Sequence, residues 1–238
     1  MEVLIVSPMK CERDGVLKGL NLPPGGVSQV RRGLMDILHV EFPLKFTRTP
    51  AFCTLFLGIG GHGKVQFGVQ TRHLLDNGSK PDLVICMGSS GALHPDVSPG
   101  DLVVGTETIE HDYRERFHDS PPPRFLGCER TLGTLRRITR DFPGTVHFGP
   151  IASGDEDIVD RGRAEELRSE TGALAVAWEG AGGARACAFS RIPFLEIRGI
   201  SDSANASTPQ DYKRNLASCM ETAGKLVHLM LKSGTQEG

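Results

Sequence analysis

Apolar residues in this chain gather in short runs, and between the runs they recur at helical spacing. Val3–Val6, Phe52–Leu57, Leu83–Met87, Thr145–Ile151, Ala173–Ala177 and Phe194–Ile200 are compact apolar or small-residue stretches that read as strands, and Leu102-Val103-Val104 opens another. Phe194–Ile200, with Phe194, Leu195, Ile197 and Ile200, suits an interior strand of a sheet covered on both faces. Lys10–Leu20, Val27–Leu38, Thr131–Arg140, Asp160–Ser169 and Asp211–Lys232 are predicted helices. The second of these is amphipathic, and the last places Leu216, Ala223, Leu226, Val227 and Met230 on one stripe. Gly180–Ser190 is a further helix, so rich in Ala and Gly that it can lie very close to a sheet. Leu22–Gly26 is a Pro/Gly loop. Arg114–Gly127, with prolines at 121, 122 and 123, is polar and aperiodic, expected as an insertion and a candidate lid. Strands alternating with helices predict an α/β fold, and the lack of any repeat, linker or low-complexity tract predicts a single domain over residues 1–238.

Composition narrows the class. A chain of 238 residues can bury a substantial core, and its 29 glycines, mostly at strand ends, suit tight βα turns. A formal net charge of -2 without long runs of one sign argues against a nucleic-acid surface or a membrane-binding patch. The six cysteines are scattered with no CxxC pair, which argues against a disulfide framework or a zinc site; no metal is expected. Met1 leads straight into a strand, and no apolar run is long enough to span a bilayer, so a cytoplasmic protein is expected.

The candidate chemistry centres on Ala175–Asn205, which reads strand, helix, strand with an acid just past each strand: Glu179 after the first, Ser201-Asp202 after the second. Ligands of open α/β sheets sit outside the carboxyl ends of strands, so two such acids are placed to face one pocket. They also have a plain reading as helix caps, as does Glu12 in the first turn of its helix. Gly58–Gly63 matches GxGxxG between a strand and a helix, the dinucleotide fingerprint. That fingerprint wants an acid at the end of the following strand, and here the strand ends in Gly88-Ser89-Ser90-Gly91. The glycines therefore read as a tight turn, His62 as a loop residue, and no cofactor is expected. Gly88–Leu93 reads as a strand running out into a small-residue loop that a ligand can approach. His111-Asp112 admits a reading as a base with its orienting acid, or as a loop pair.

Trp178-Glu179 with Ile200-Ser201-Asp202 resembles the Met-Glu and Ile-Ser-Asp pair of the nucleoside phosphorylase/nucleosidase superfamily. Other landmarks follow in order: Met9 and Glu12, the Gly58–Lys64 turn, Gly88–Leu93 against Gly-Ser-Ala-Gly-Gly, and Gly100–Val104 against Gly-Asp-Ile-Val-Val. Ser153-Gly154-Asp155 resembles Ser-Gly-Asp-x-[Phe/Tyr]-Ile, but Asp157 occupies the place of the aromatic, with Ile158 following. The pattern is most similar to methylthioadenosine/adenosylhomocysteine nucleosidases.

The resemblance implies a three-layer α/β/α fold with a central mixed twisted sheet, and cleavage of the N-glycosidic bond of a purine nucleoside, expected to be a 5′-modified one. It makes Asp202 the donor to the base, which near neutral pH requires burial to favour the protonated form. It makes Glu12 the group that activates water, with Ser89 and Arg198 beside it, and Glu179 the acceptor for ribose hydroxyls. Met9 and Trp178 would line the ribose, Trp178 replacing the usual Met. Gly91, Asp157, Ile158, Ser201 and Tyr212 complete the implied substrate site. Asp157 either points to solvent or accepts hydrogen bonds from a base bearing N–H donors. Phosphorolysis is the alternative to hydrolysis, and it calls for an arginine where the chain has Met87. Arg13, Arg31, Arg32 and Arg48 are the candidates to replace that arginine. Futalosine and hopanoid-pathway hydrolases, and a nucleoside-binding sensor, are further alternatives. The implied assembly is a homodimer or larger.

Overall fold

The computed structural model describes the chain except for residues 45–50, 116, 119 and 234–238. Its strands are β1 (Glu2–Ser7), β2 (Val27–Arg32), β3 (Met35–Leu44), β4 (Ala51–Ile59), β5 (Leu83–Ala92), β6 (Leu102–Glu110), β7 (Arg124–Leu126), β8 (Val146–Ser153), β9 (Ala175–Ala177) and β10 (Phe194–Asp202). Its helices are α1 (Lys10–Gly19), α2 (Gly63–Asp76), α3 (Glu129–Ile138), α4 (Arg161–Thr171), α5 (Gly180–Ser190) and α6 (Thr208–Ser233).

The period-2 alternation of strand side chains builds three layers. In β1, Val3 and Ile5 join Val16, Leu20, Leu132, Leu135, Met220 and Leu226 in a core beneath α1, α3 and α6. Leu4 and Val6 point the other way, into a second core with Phe67 and Leu74 of α2 and Ala184 and Cys187 of α5. The sheet between them is mixed. Parallel pairs link β1 with β4 and β5, and β5 with β10, whereas β2–β3–β4 pair antiparallel. Its order is β10-β6-β8-β9-β5-β1-β4-β3-β2, and because β10 also pairs with β5, the first five strands close into a ring. The small residues of α5 permit close approach: a Cβ on Gly182 would stand 2.1 Å from the Lys64 carbonyl oxygen of α2. No described helix is long and apolar enough to cross a membrane.

Three expectations are corrected. Val27–Leu38, read as an amphipathic helix, is instead β2, a turn and the start of β3. Val30 pairs opposite Ile37, and Gly33 takes φ +58, which glycine adopts without the steric cost other residues meet. Leu34, which a helical stripe would bury, is 81% exposed at the hairpin tip. Gly88–Ala92, read as a loop, stays in β5, paired to β10 through Gly91. Small residues keep the strand there because bulkier ones would collide with Arg198, Asp202 and Ala204. Finally, the described residues of the 114–127 stretch, expected as a candidate lid, do not cover the cavity described below. Its Arg124–Leu126 portion pairs antiparallel with β6, and none of its described residues lines that cavity.

Candidate active site

A cavity of about 380 Å³ opens where several strands end. Pro8 and Met9 follow β1, Ser89 and Gly91 lie late in β5, Glu156–Val159 follow β8, Trp178 and Glu179 follow β9, and Ser201 and Asp202 finish β10; all line it. The closing helix contributes Thr208, Pro209 and Tyr212. Of the residues the sequence singled out, Met9, Glu12, Ser89, Gly91, Asp157, Ile158, Trp178, Glu179, Ser201, Asp202 and Tyr212 share this one cavity.

Glu12 serves both readings offered for it. At the third position of α1 it accepts the Met9 N–H at 3.0 Å, as a first-turn acid does, and its other oxygen accepts the N–H and hydroxyl of Ser89 at 2.8 and 2.7 Å. It is 2% exposed. A Cβ on Gly88 would fall 2.5 Å from Arg198 Nη1 and 3.2 Å from Glu12 Oε1, so the bare backbone there is what lets the two charges converge.

Glu179 stands at the N-cap of α5, yet its side chain makes no cap hydrogen bond. It accepts from Arg198 Nη1 at 3.3 Å instead. Burial pushes its carboxyl up, against the pull of Arg198, and the neighbouring Glu12 charge adds to the rise. Arg198 was expected at the substrate, but it does not line the cavity. It is fully buried behind Glu179, with Nε on Glu196 Oε1 at 2.7 Å. Thr108 donates its hydroxyl to the other Glu196 oxygen.

Asp202 has a full set of partners. Oδ1 accepts from the Ala204 N–H at 3.0 Å and from Thr208 Oγ1 at 2.9 Å. Oδ2 lies 2.7 Å from Ser201 Oγ, which also lies 3.2 Å from the Ser90 carbonyl oxygen. A hydroxyl has one proton, and a carbonyl oxygen only accepts. When Asp202 is ionised, Ser201 donates to it; when Asp202 carries a proton, it donates to Ser201, which turns to Ser90. Both protonation states are thus hydrogen-bonded. That suits a group that gives up a proton. Gly91 permits the crowding, because a Cβ there would stand 2.9 Å from Asp202 Oδ1.

Tyr212 Oη lies 3.9 Å from Met9 Sδ, and burial together with the Glu12 charge pushes its phenol up. Trp178 meets His62 edge-on with ring centroids 6.3 Å apart, so His62, read only as a loop residue, also lines the cavity. Asp157 lines the cavity and is exposed, and Ile158 beside it is buried.

His111-Asp112 is not part of this site. Asp112 pairs with Lys64 and accepts the Asp155 N–H at 3.0 Å, while His111 is buried nearby. The possible phosphate arginines are elsewhere too. Arg13 pairs with Asp14, Arg31 with Asp36 and Arg32 with Glu2, none of the three lines the cavity, and Arg48 lies outside the described residues. Met87 is buried in the core. Sequence reasoning passed over Glu196, Glu156 and Thr208. Glu196 announces itself only as an acid in the otherwise apolar start of β10, and Thr208 only as a hydroxyl residue at the start of α6.

Residues 38–232 match the model of the phosphorylase superfamily. The chain is 32% identical over 216 residues to the 5'-methylthioadenosine/S-adenosylhomocysteine nucleosidase of Anoxybacillus flavithermus, covering 82% of this chain and 92% of that one. Among solved structures, the nucleosidase of the same name from Neisseria meningitidis, in complex with methylthio-immucillin-A, superposes with a TM-score of 0.82 at 26% identity, covering 98% of this chain and 99% of that one. Futalosine hydrolase of Helicobacter pylori has the same fold, with a TM-score of 0.85 at 21% identity and 98% of each chain covered.

Proposed function

The chain belongs to the phosphorylase superfamily, and from that premise we propose that it is a nucleosidase, hydrolysing the N-glycosidic bond of a purine nucleoside to free base and sugar. One observation carries the reading. Glu12, Glu179 and Asp202 converge on a single cavity whose described lining contains no lysine or arginine.

Departure of a purine leaves a sugar with oxocarbenium character, so the site has to neutralise the base and steady a cation. Asp202 protonates the base at its imidazole nitrogen, with Ser201 keeping the carboxyl hydrogen-bonded before and after the transfer. Glu179 accepts from the ribose hydroxyls and sets negative charge beside the developing cation. Met9, Trp178 and Tyr212 enclose the sugar. Glu12, held by Ser89 and by the Met9 N–H, orients and deprotonates the attacking water. Arg198 acts through Glu179 as a positioning residue. Gly91 and Ile158 shape the wall against the base. Curated relatives named for methylthioadenosine and adenosylhomocysteine support a 5′-modified nucleoside as substrate.

Phosphorolysis is disfavoured on charge. A phosphate dianion needs charged, preferably bidentate donors, and carboxylates dominate the ionisable lining of this cavity. The test is base release from methylthioadenosine, adenosylhomocysteine, futalosine, inosine and adenosine, with and without phosphate. Release without phosphate, yielding free sugar, is the expected result. A sugar 1-phosphate formed only when phosphate is present would make the chain a phosphorylase.

The proposal extends to a homodimer built on α2 and α5. Val65, Val69 and Phe189 are 76, 65 and 79% exposed there, beside Tyr113. Apolar exposure on that scale marks an association surface. Sedimentation of Val69→Glu against the unaltered chain tests it; identical monomeric behaviour of both would refute the dimer.

A further inference from the structure

Five carboxylates line the cavity, and four of them already have protein partners: Glu12 with Ser89, Glu156 with Arg163, Glu179 with Arg198, and Asp202 with Ser201 and Thr208. Asp157 has no hydrogen bond or ion pair among the described residues. Its carboxylate is exposed in the open site. A ligand that covers it and offers no donor leaves it unpaired, which is costly.

Asp157 is linked to Asp202 through its neighbour on the cavity wall. Ile158, its neighbour, packs in one apolar cluster with Val176 and Ala204, and Ala204 donates its N–H to Asp202. Glu12 and Met9 belong to the α1 side, and Tyr212 to α6. A purine that meets Asp202 with its imidazole nitrogen and lies along this cluster brings its six-membered ring to Asp157.

We propose that Asp157 selects 6-oxopurine nucleosides, its carboxylate accepting the ring N1–H of hypoxanthine, or the N1–H and 2-amino group of guanine. A carboxylate only accepts, and a 6-oxopurine presents a donor at N1. Adenine presents a lone pair at N1, which faces the carboxylate with repulsion. This deepens the nucleosidase reading and rests on it.

The experiment compares two substrates that differ only at the base, 5′-methylthioinosine and 5′-methylthioadenosine, in the full chain and in Asp157→Asn. The unaltered chain is expected to favour the inosine by at least about tenfold in kcat/KM. Asp157→Asn is expected to move preference toward adenine, because an amide, which can donate as well as accept, removes the repulsion between the carboxylate and the adenine N1 lone pair. Preference for adenine in the unaltered chain, or an unchanged ratio in the variant, overturns the proposal. Dissociation constants of free hypoxanthine and free adenine, measured by calorimetry, separate this inference from the nucleosidase reading. If neither nucleoside is cleaved, hypoxanthine binding tighter than adenine binding, with the gap narrowed in Asp157→Asn, sustains the selectivity while hydrolysis falls. Equal binding of the two bases overturns the selectivity.

Discussion

Glu196 holds Arg198 from behind: Oε1 accepts the guanidinium Nε–H at 2.7 Å, with both side chains buried in β10. The guanidinium is thereby aimed at Glu179, which faces the cavity. A buried cation between two buried acids is stable only while its partners remain. Glu196→Gln keeps the shape and removes one charge, so unfolding free energy should fall by on the order of 3 kcal/mol. Urea denaturation checks this. Because Glu179 loses its fixed partner geometry, KM should rise in the same variant; an unchanged KM would limit Glu196 to a structural role.

Asp202→Asn preserves volume but has no proton to give. Turnover of a purine nucleoside should drop by about 10² to 10⁴-fold. Binding of the substrate should stay near its original level, read by calorimetry on the inactive variant. Turnover like that of the unaltered chain would end the assignment of Asp202 as proton donor.

Glu12→Gln retains hydrogen-bonding capacity toward Ser89 but cannot accept a proton from water. Hydrolysis should fall by roughly 10²-fold or more. Single-turnover assays of sugar release check it, and an undiminished rate would remove Glu12 from the reaction.

Stability should decline on the acid side. Burial holds the His111 imidazole below its ordinary value, although Asp112 and Glu156 favour its charged form and Arg163 and Lys64 oppose it. The unfolded chain takes up that proton near pH 6.5, while the folded chain resists until the pH is lower. The unfolded state therefore binds more protons in this interval, so stability is complete above it and is lost as pH falls through it. Asp112 adds to the loss at lower pH. Burial works against its ionisation, but Lys64 and the Asp155 N–H outweigh that and hold its carboxyl below the usual range. Thermal melts between about pH 7.5 and pH 5.5 should show Tm falling, with a shallower slope in His111→Gln.

The sequence was most legible where apolar runs are short and continuous. Gly180–Ser190 emerges as a helix with the expected bounds, and β1, β4 and β10 lie where compact Val, Ile, Leu and Phe runs place them. The β2–β3 hairpin was hidden because Val27, Val30, Leu34 and Leu38 mimic helical spacing, while the decisive signal is the single glycine at the turn. Gly88–Ala92 misled for the opposite reason. A run of Gly and Ser suggests a loop, yet here small residues are what allow a strand to pass beneath Arg198 and Asp202. In the site, position put Glu179 and Asp202 at strand ends facing one cavity, where the structure has them, but left a reading as helix caps equally open. Arg198 was placed beside Glu12 at the substrate site by resemblance, and no one-dimensional pattern shows that Glu179 and Glu196 enclose it.

Trp178 is the chain's sole tryptophan, and it stands on the cavity wall. The indole fluorescence of the protein therefore originates at one point, beside Glu179. Entry of a ligand changes the surroundings of that emitter, so occupancy can be followed optically in the unmodified chain, with no label and no turnover.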